Sequence, residues 1–79
     1  MTNKIDFVKL HEQLKSGPTL IKFRSILSGR VIIGEYTLMD AIVKQQQPSD
    51  KILAWDVNSN RYEDIQLNTI IYYEQAKRI

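Results

Sequence analysis

The chain has no cysteine and a single histidine among 79 residues. The first shortage excludes disulfides and thiolate metal sites; the second excludes a zinc site unless carboxylates cluster around His11, and no such cluster is evident. No metal and no cofactor are therefore expected. Glycine (three) and proline (two) are scarce, and Gly29 and Gly34 fit neither the dinucleotide fingerprint nor the phosphate-binding loop. No apolar run approaches the roughly 18 residues of a membrane span, and no secretory apolar stretch is present. A cytoplasmic location is the expectation, in the host cell cytoplasm if the chain is phage-encoded. Charge of one sign is lacking too. Eleven basic residues against nine acidic give +2, too slight an excess to imply nucleic acid by itself.

What is present is an ordinary folding composition, 43% apolar and 25% charged. The length has room for one domain, residues 1–79. A domain this small buries only roughly 60% of the surface of its unfolded chain. With no staple available, stability must come from the packed core, helped by any self-association.

Residues 3–16 read as an N-terminal helix, periodic from about Lys4 to Lys15. Thr2 and Asn3 are N-cap candidates, and Asp6 is expected in the first turn, near the positive end of the helix dipole. Phe7, Leu10 and Leu14 recur at helical spacing, with Ile5, Val8 and His11 widening the stripe. Ser16-Gly17-Pro18 is a stop signal, with Gly17 expected as a left-handed cap. From Thr19 the period becomes two: Ile21 and Phe23 alternate with Lys22 and Arg24. Ser28-Gly29 predicts a hairpin turn, and Arg30 to Leu38 the returning strand, where Gly34 marks a bulge or bend. Asp40 is placed to cap a single turn through Ala41–Lys44, followed by an exposed loop to Asp50.

Lys51 to Val57 predicts a third strand with Leu53, Trp55 and Val57 on one face and Ile52 and Ala54 on the other. Trp55 is read as a core anchor rather than a ligand-stacking group. Asn58-Ser59-Asn60 predicts a tight turn whose amides are bonded by Asp56. Arg61 to Gln66 gives a fourth strand, Leu67-Asn68-Thr69 a turn, and Ile70 to Glu74 a fifth. The fold class expected is mainly β with one helix, residues 19–74 forming a five-stranded SH3-like or Sm-like small barrel. An open meander packed by one helix is the alternative.

The run Ala54-Trp55-Asp56-Val57-Asn58-Ser59-Asn60-Arg61-Tyr62, followed by Ile65-Gln66-Leu67-Asn68-Thr69-Ile70, resembles small phage and prophage proteins with a WYL-related, Sm-like SH3 barrel. The order of features agrees over roughly residues 14–73. Two departures stand out: Tyr62 occupies a position where the family commonly has Trp, and Glu63-Asp64 one where it has basic residues. The resemblance implies the fold and a phage origin. It implies no biochemical activity.

No catalytic set is visible, because His11 is the only imidazole and lies on the apolar side of the helix. Glu63 and Asp64 are adjacent on a strand and point to opposite faces, which argues against a shared metal. Two surfaces remain. Lys22, Arg24 and Arg30 form a basic hairpin that, with Lys44, is the nucleic-acid candidate, or else a solvated face guarding an edge. Ile70-Ile71-Tyr72-Tyr73 places one isoleucine and one tyrosine on each face, so one pair must lie under the helix or at an interface. Ile70, Tyr72 and Tyr73 are thus the protein-interface candidates. The leading expectation is a non-enzymatic phage accessory protein that binds a host or viral protein and can form a homo-oligomer. A nucleic-acid-binding Sm-like barrel is the alternative.

Overall fold

The computed structural model describes residues 5–39 and 46–76. One helix, α1 (Phe7–Ser16), precedes five strands: β1 (Thr19–Arg24), β2 (Val31–Thr37), β3 (Lys51–Asp56), β4 (Arg61–Gln66) and β5 (Ile70–Gln75), with a 3-10 turn over Leu67–Thr69. The strands form one antiparallel sheet in the order β4-β3-β2-β1-β5. Mainly β with one helix is therefore the architecture, but the expected closure is not seen. Consecutive members of that order are paired, β4 and β5 are the two ends, and the sheet is open.

α1 begins one turn later than its apolar period implied. Asp6 is the N-cap itself, not a first-turn residue, and its carboxylate accepts from the Val8 and Lys9 amides. It satisfies donors that would otherwise be orphaned at the helix start. Thr2 and Asn3 lie outside the described residues. Phe7, Leu10, His11 and Leu14 are buried, whereas Val8 faces solvent. Gly17 ends the helix in an extended conformation, φ 166°, not the expected left-handed one. The last turn is held from outside instead: the Leu38 amide donates to the Leu14 carbonyl at 2.9 Å, so the end of β2 caps α1.

The β1–β2 hairpin turns over residues 25–30. The Gly29 amide donates to the Ser25 carbonyl and the Ser25 amide to the Arg30 carbonyl, both at 2.8 Å. Gly29 sits at φ 73°, a left-handed geometry that glycine adopts at little cost. Gly34 has another job than the bulge expected of it. Its pairing with Ile21 is regular, and the Tyr36 ring covers it so closely that a Cβ would lie 2.6 Å from Tyr36 Cε2. The missing side chain is what lets that ring lie flat against the sheet.

The bulge occurs elsewhere. Between Lys22 and Phe23 the β1–β5 register shifts: Lys22 opposes Tyr72, but Phe23 opposes Ile70. Ile71 is the extra residue, and strict alternation along β5 is broken there.

Trp55 also departs from what its alternation implied. Ile52 and Ala54 are the buried residues of β3, while Leu53, Trp55 and Val57 are only half-buried. Register with β4 decides this, since Ile52 opposes Ile65, and Trp55 opposes Tyr62. Trp55 packs edge-on to the Tyr62 ring, centroids 5.0 Å apart, rather than anchoring the core. The core is one cluster of Phe7, Leu10, Leu14, Ile21, Phe23, Tyr36, Leu38, Ile52, Ala54, Ile65 and Ile70.

The β3–β4 turn is as expected. Asp56 accepts from the Asn58 and Ser59 amides at 3.0 and 3.2 Å, and Asn60 is left-handed at φ 55°. The single helical turn expected over Ala41–Lys44 lies outside the described residues. Gln46, just after it, uses both ends of its amide on the Leu53 backbone, at 2.6 and 2.8 Å. It takes the place of a neighbouring strand on that stretch of β3.

The close approach at Gly34 predicts a contrast between two glycines. Gly34→Ala is expected to destabilise by about 1–3 kcal/mol, because the buried Tyr36 ring has nowhere to move. Gly17→Ala, with open space around its Cβ, is expected to stay within about 0.5 kcal/mol of wild type. Urea unfolding of the two variants checks both.

Candidate interface on the outer sheet face

The strand pairings define the face of β5, β1 and β2 that points away from the core. Three rows cross it. Glu74, Leu20 and Glu35 form the first; Tyr72, Lys22 and Ile33 the second; Arg24 and Val31 the third, with the bulged Ile71 beside them. Ile71 and Tyr72 are 47% and 44% exposed, and Ile33 is 59% exposed. The Lys22 ammonium lies 5.5 Å from the centre of the Tyr72 ring, a cation–π contact that also orients the ring. Arg24 is exposed, and its guanidinium donates to the Gly29 carbonyl at 2.7 Å, tying the hairpin loop to β1. At the loop tip Leu27 is 99% exposed, next to an exposed Ile26.

The interface candidates therefore separate. Ile70 is 7% exposed and faces the core beside Phe23. Tyr73 is half-buried against the same core. Of the three, only Tyr72 is at the surface, and alternation had placed Ile70 on its face. The one-residue bulge is the physical reason: it turns Ile70 and Tyr73 inward together and Ile71 and Tyr72 outward together. Of the basic candidates, Lys22 and Arg24 share the outer face, Arg30 stands in the loop before β2, and Lys44 lies outside the described residues. Missed from the sequence were Ile71, Ile33, Val31, Ile26 and Leu27. Three consecutive β-branched residues at 31–33, with no polar residue between them, were the signal that this strand does not alternate between core and water.

On the core side of the hairpin, a groove of about 370 Å³ opens between β1–β2 and β4. Phe23, Ile26, Leu27, Ile32 and Ile65 supply its apolar lining, with Lys51 and Glu63 also at its walls. Lys51 is 3.5 Å from Asp64, an exposed pair of little energetic consequence.

His11 and Glu63 make structural contacts. His11 is buried and stacked on Phe7, ring centroids 5.4 Å apart. Among the described residues no group of three or more His, Asp or Glu side chains is placed to hold a metal. Glu63 accepts a 2.6 Å hydrogen bond from the Tyr36 hydroxyl. Burial pushes the Tyr36 phenol well above the ordinary tyrosine range, and its bond to Glu63 and that carboxylate's charge push it further. Asp56 adds to the effect and Arg61 opposes it.

Comparisons with protein-family models, with curated proteins and with solved structures return no match. Among the described residues, no helix is long and apolar enough to cross a membrane.

The Tyr36–Glu63 bond yields a pH prediction. An unfolded chain ionises this tyrosine near pH 10.0, whereas the folded chain holds the proton to higher pH. The stabilisation is therefore complete below that value and is lost as pH rises above it. Absorbance at 295 nm should show one of the four tyrosines ionising only as the chain unfolds. Tyr36→Phe should remove that late step and cost about 1–2 kcal/mol at neutral pH, since Glu63 loses a donor.

Proposed function

We propose that this protein is a non-enzymatic binding module that engages a protein partner through the outer face of β5, β1 and β2. The observation that carries the reading is the row Tyr72–Lys22–Ile33, in which an exposed aromatic, a cation and an exposed aliphatic stand side by side. Tyrosine is enriched at protein interfaces, whose buried centres are more apolar than the surrounding surface. Rigid strands present the row, so little ordering entropy opposes docking. The resemblance of residues 54–70 to phage and prophage proteins supports an accessory role in an infected cell. It also supports assignment to the SH3-like or Sm-like class, as does a strand order in which β5 returns beside β1 after a 3-10 turn.

A second reading, nucleic-acid binding, gains one observation. Single-strand binding needs exposed aromatics among the basic residues, and Tyr72 beside Lys22 supplies one, with Arg24 and Arg30 nearby. The acidic row Glu74–Glu35 on the same face repels phosphate and favours the protein reading.

Cross-linking mass spectrometry on a host lysate tests the first. A partner is expected to link at Lys22 and to be retained at least tenfold less by Tyr72→Ala, a loss typical of an interface hot spot. No retained partner, or retention indifferent to Tyr72, would defeat it. The second predicts binding to a fluorescent single-stranded oligonucleotide at low salt that weakens steeply as salt rises. Flat anisotropy at low salt would eliminate it.

A further inference from the structure

The β1–β2 hairpin loop carries the most exposed aliphatic side chains of the described residues. Residues 25–30 lie beyond Phe23, the last β1 residue paired with β5, so the loop projects past that end of the sheet. Leu27 at its tip is 99% exposed and Ile26 66%. The loop is nonetheless held. The Ser28 amide donates to the Ser25 hydroxyl at 3.3 Å and the Arg30 amide to the Ser28 hydroxyl at 3.2 Å. The Arg24 guanidinium closes it on the Gly29 carbonyl at 2.7 Å. A bonded turn therefore presents two large aliphatic side chains to water, where the fold gains nothing from them.

Behind the tip the chemistry is layered. Arg24, Arg30 and Val31 come first, with Ile71 beside them, and the row Tyr72–Lys22–Ile33 follows. The row Glu74–Leu20–Glu35 stands farthest back. Leu20 is about 13 Å of strand behind Arg24, beyond the roughly 8 Å over which exposed charges act at physiological ionic strength. From Gly17 to Gly34 the sequence has three cations and no carboxylate. A hollow of about 470 Å³ between the loop and the 3-10 turn is lined by Arg24, Ser25, Asn68 and Thr69 beside apolar groups, again with no carboxylate among the described residues. Glu63 and Asp64, across the groove from the tip, are held by the Tyr36 hydroxyl and by Lys51.

We propose that this loop docks the protein on an anionic lipid surface. Ile26 and Leu27 enter the boundary between headgroups and acyl chains, Arg24 and Arg30 meet the lipid phosphates, and Lys22 adds attraction one row back. The layers match those of a bilayer, whose acyl boundary is reached by an apolar group buried roughly 5–10 Å, and whose anionic headgroups attract nearby basic residues. Shape selects lipid over protein. The exposed aliphatics surround a projecting point, with Val31 and Ile71 on the outer face and Ile32 on the groove side. A protein partner would need a matching cavity, whereas a fluid bilayer closes around such a point. The contact is superficial and requires no spanning helix. It goes beyond the protein-binding reading and leaves Tyr72 clear of the lipid to meet a partner.

Cosedimentation of the full chain with vesicles tests the proposal, using phosphatidylcholine alone or mixed with phosphatidylglycerol, with circular dichroism to confirm folding. Wild type should bind the mixed vesicles at low salt, weaken as salt rises, and bind phosphatidylcholine alone at least about tenfold less. Leu27→Glu, at a position with almost no contact to lose, should stay folded and lose at least about tenfold on mixed vesicles. Arg30→Gln should lose about fivefold, and Leu27→Trp should bind more tightly. No binding at low salt, or equal binding to both vesicle types, overturns the proposal. So does a Leu27→Glu variant that binds like wild type, since charge alone would then explain the attraction and nucleic acid would serve as well. A protein retained at Tyr72 without any vesicle binding would remove the lipid contact and leave the protein-binding reading intact.

Discussion

β1 is paired along both edges, with β2 on one side and β5 on the other. Its inward residues Thr19, Ile21 and Phe23 are all buried. Most of the remaining structure follows from how neighbours accommodate that inward row. Gly34 opposes Ile21 and leaves space for the Tyr36 ring, which reaches from the β1 side of the sheet to Glu63 on β4. The β5 bulge puts both Ile70 and Tyr73 onto the same row. The open sheet is thus bound across its core side by one tyrosine and by apolar packing, not by a closing ladder.

The same accommodation produces the surface. A bulge that turns two residues of β5 inward turns the two between them outward, so Ile71 and Tyr72 are exposed because Ile70 and Tyr73 are not. Lys22 then lies against Tyr72, spanning the boundary between the acidic row and the apolar one. β2 has an analogous division. Its second half closes against β3, and Leu38 just after it caps α1, while its first half remains open. Core and candidate interface are therefore two outcomes of one set of registers.

Much of the local structure was legible in the residues. Asp56 with its Asx turn, the left-handed Asn60, the bounds of β4 and the hairpin at Gly29 all depend on turn chemistry within a few residues. Trp55 was misread because both faces of residues 52–57 are apolar, so alternation alone could not say which faces inward. The interface candidates at 70–73 were misread for a related reason: two isoleucines and two tyrosines look alike in either phase, and a bulge changes phase without any glycine to announce it.

By itself, the amino-acid order determined that the described residues make one short helix and five short strands, because period, capping and turn chemistry act within a few residues. It also determined that no thiol chemistry is within reach, since the chain has no cysteine. Only the tertiary structure decided that Ile52 faces inward rather than Trp55, that Gly34 serves the Tyr36 ring, and that Tyr72 stands exposed while Ile70 does not. Each of those depends on a register between strands distant in sequence, and a shift of one residue in such a register reverses every side chain beyond it.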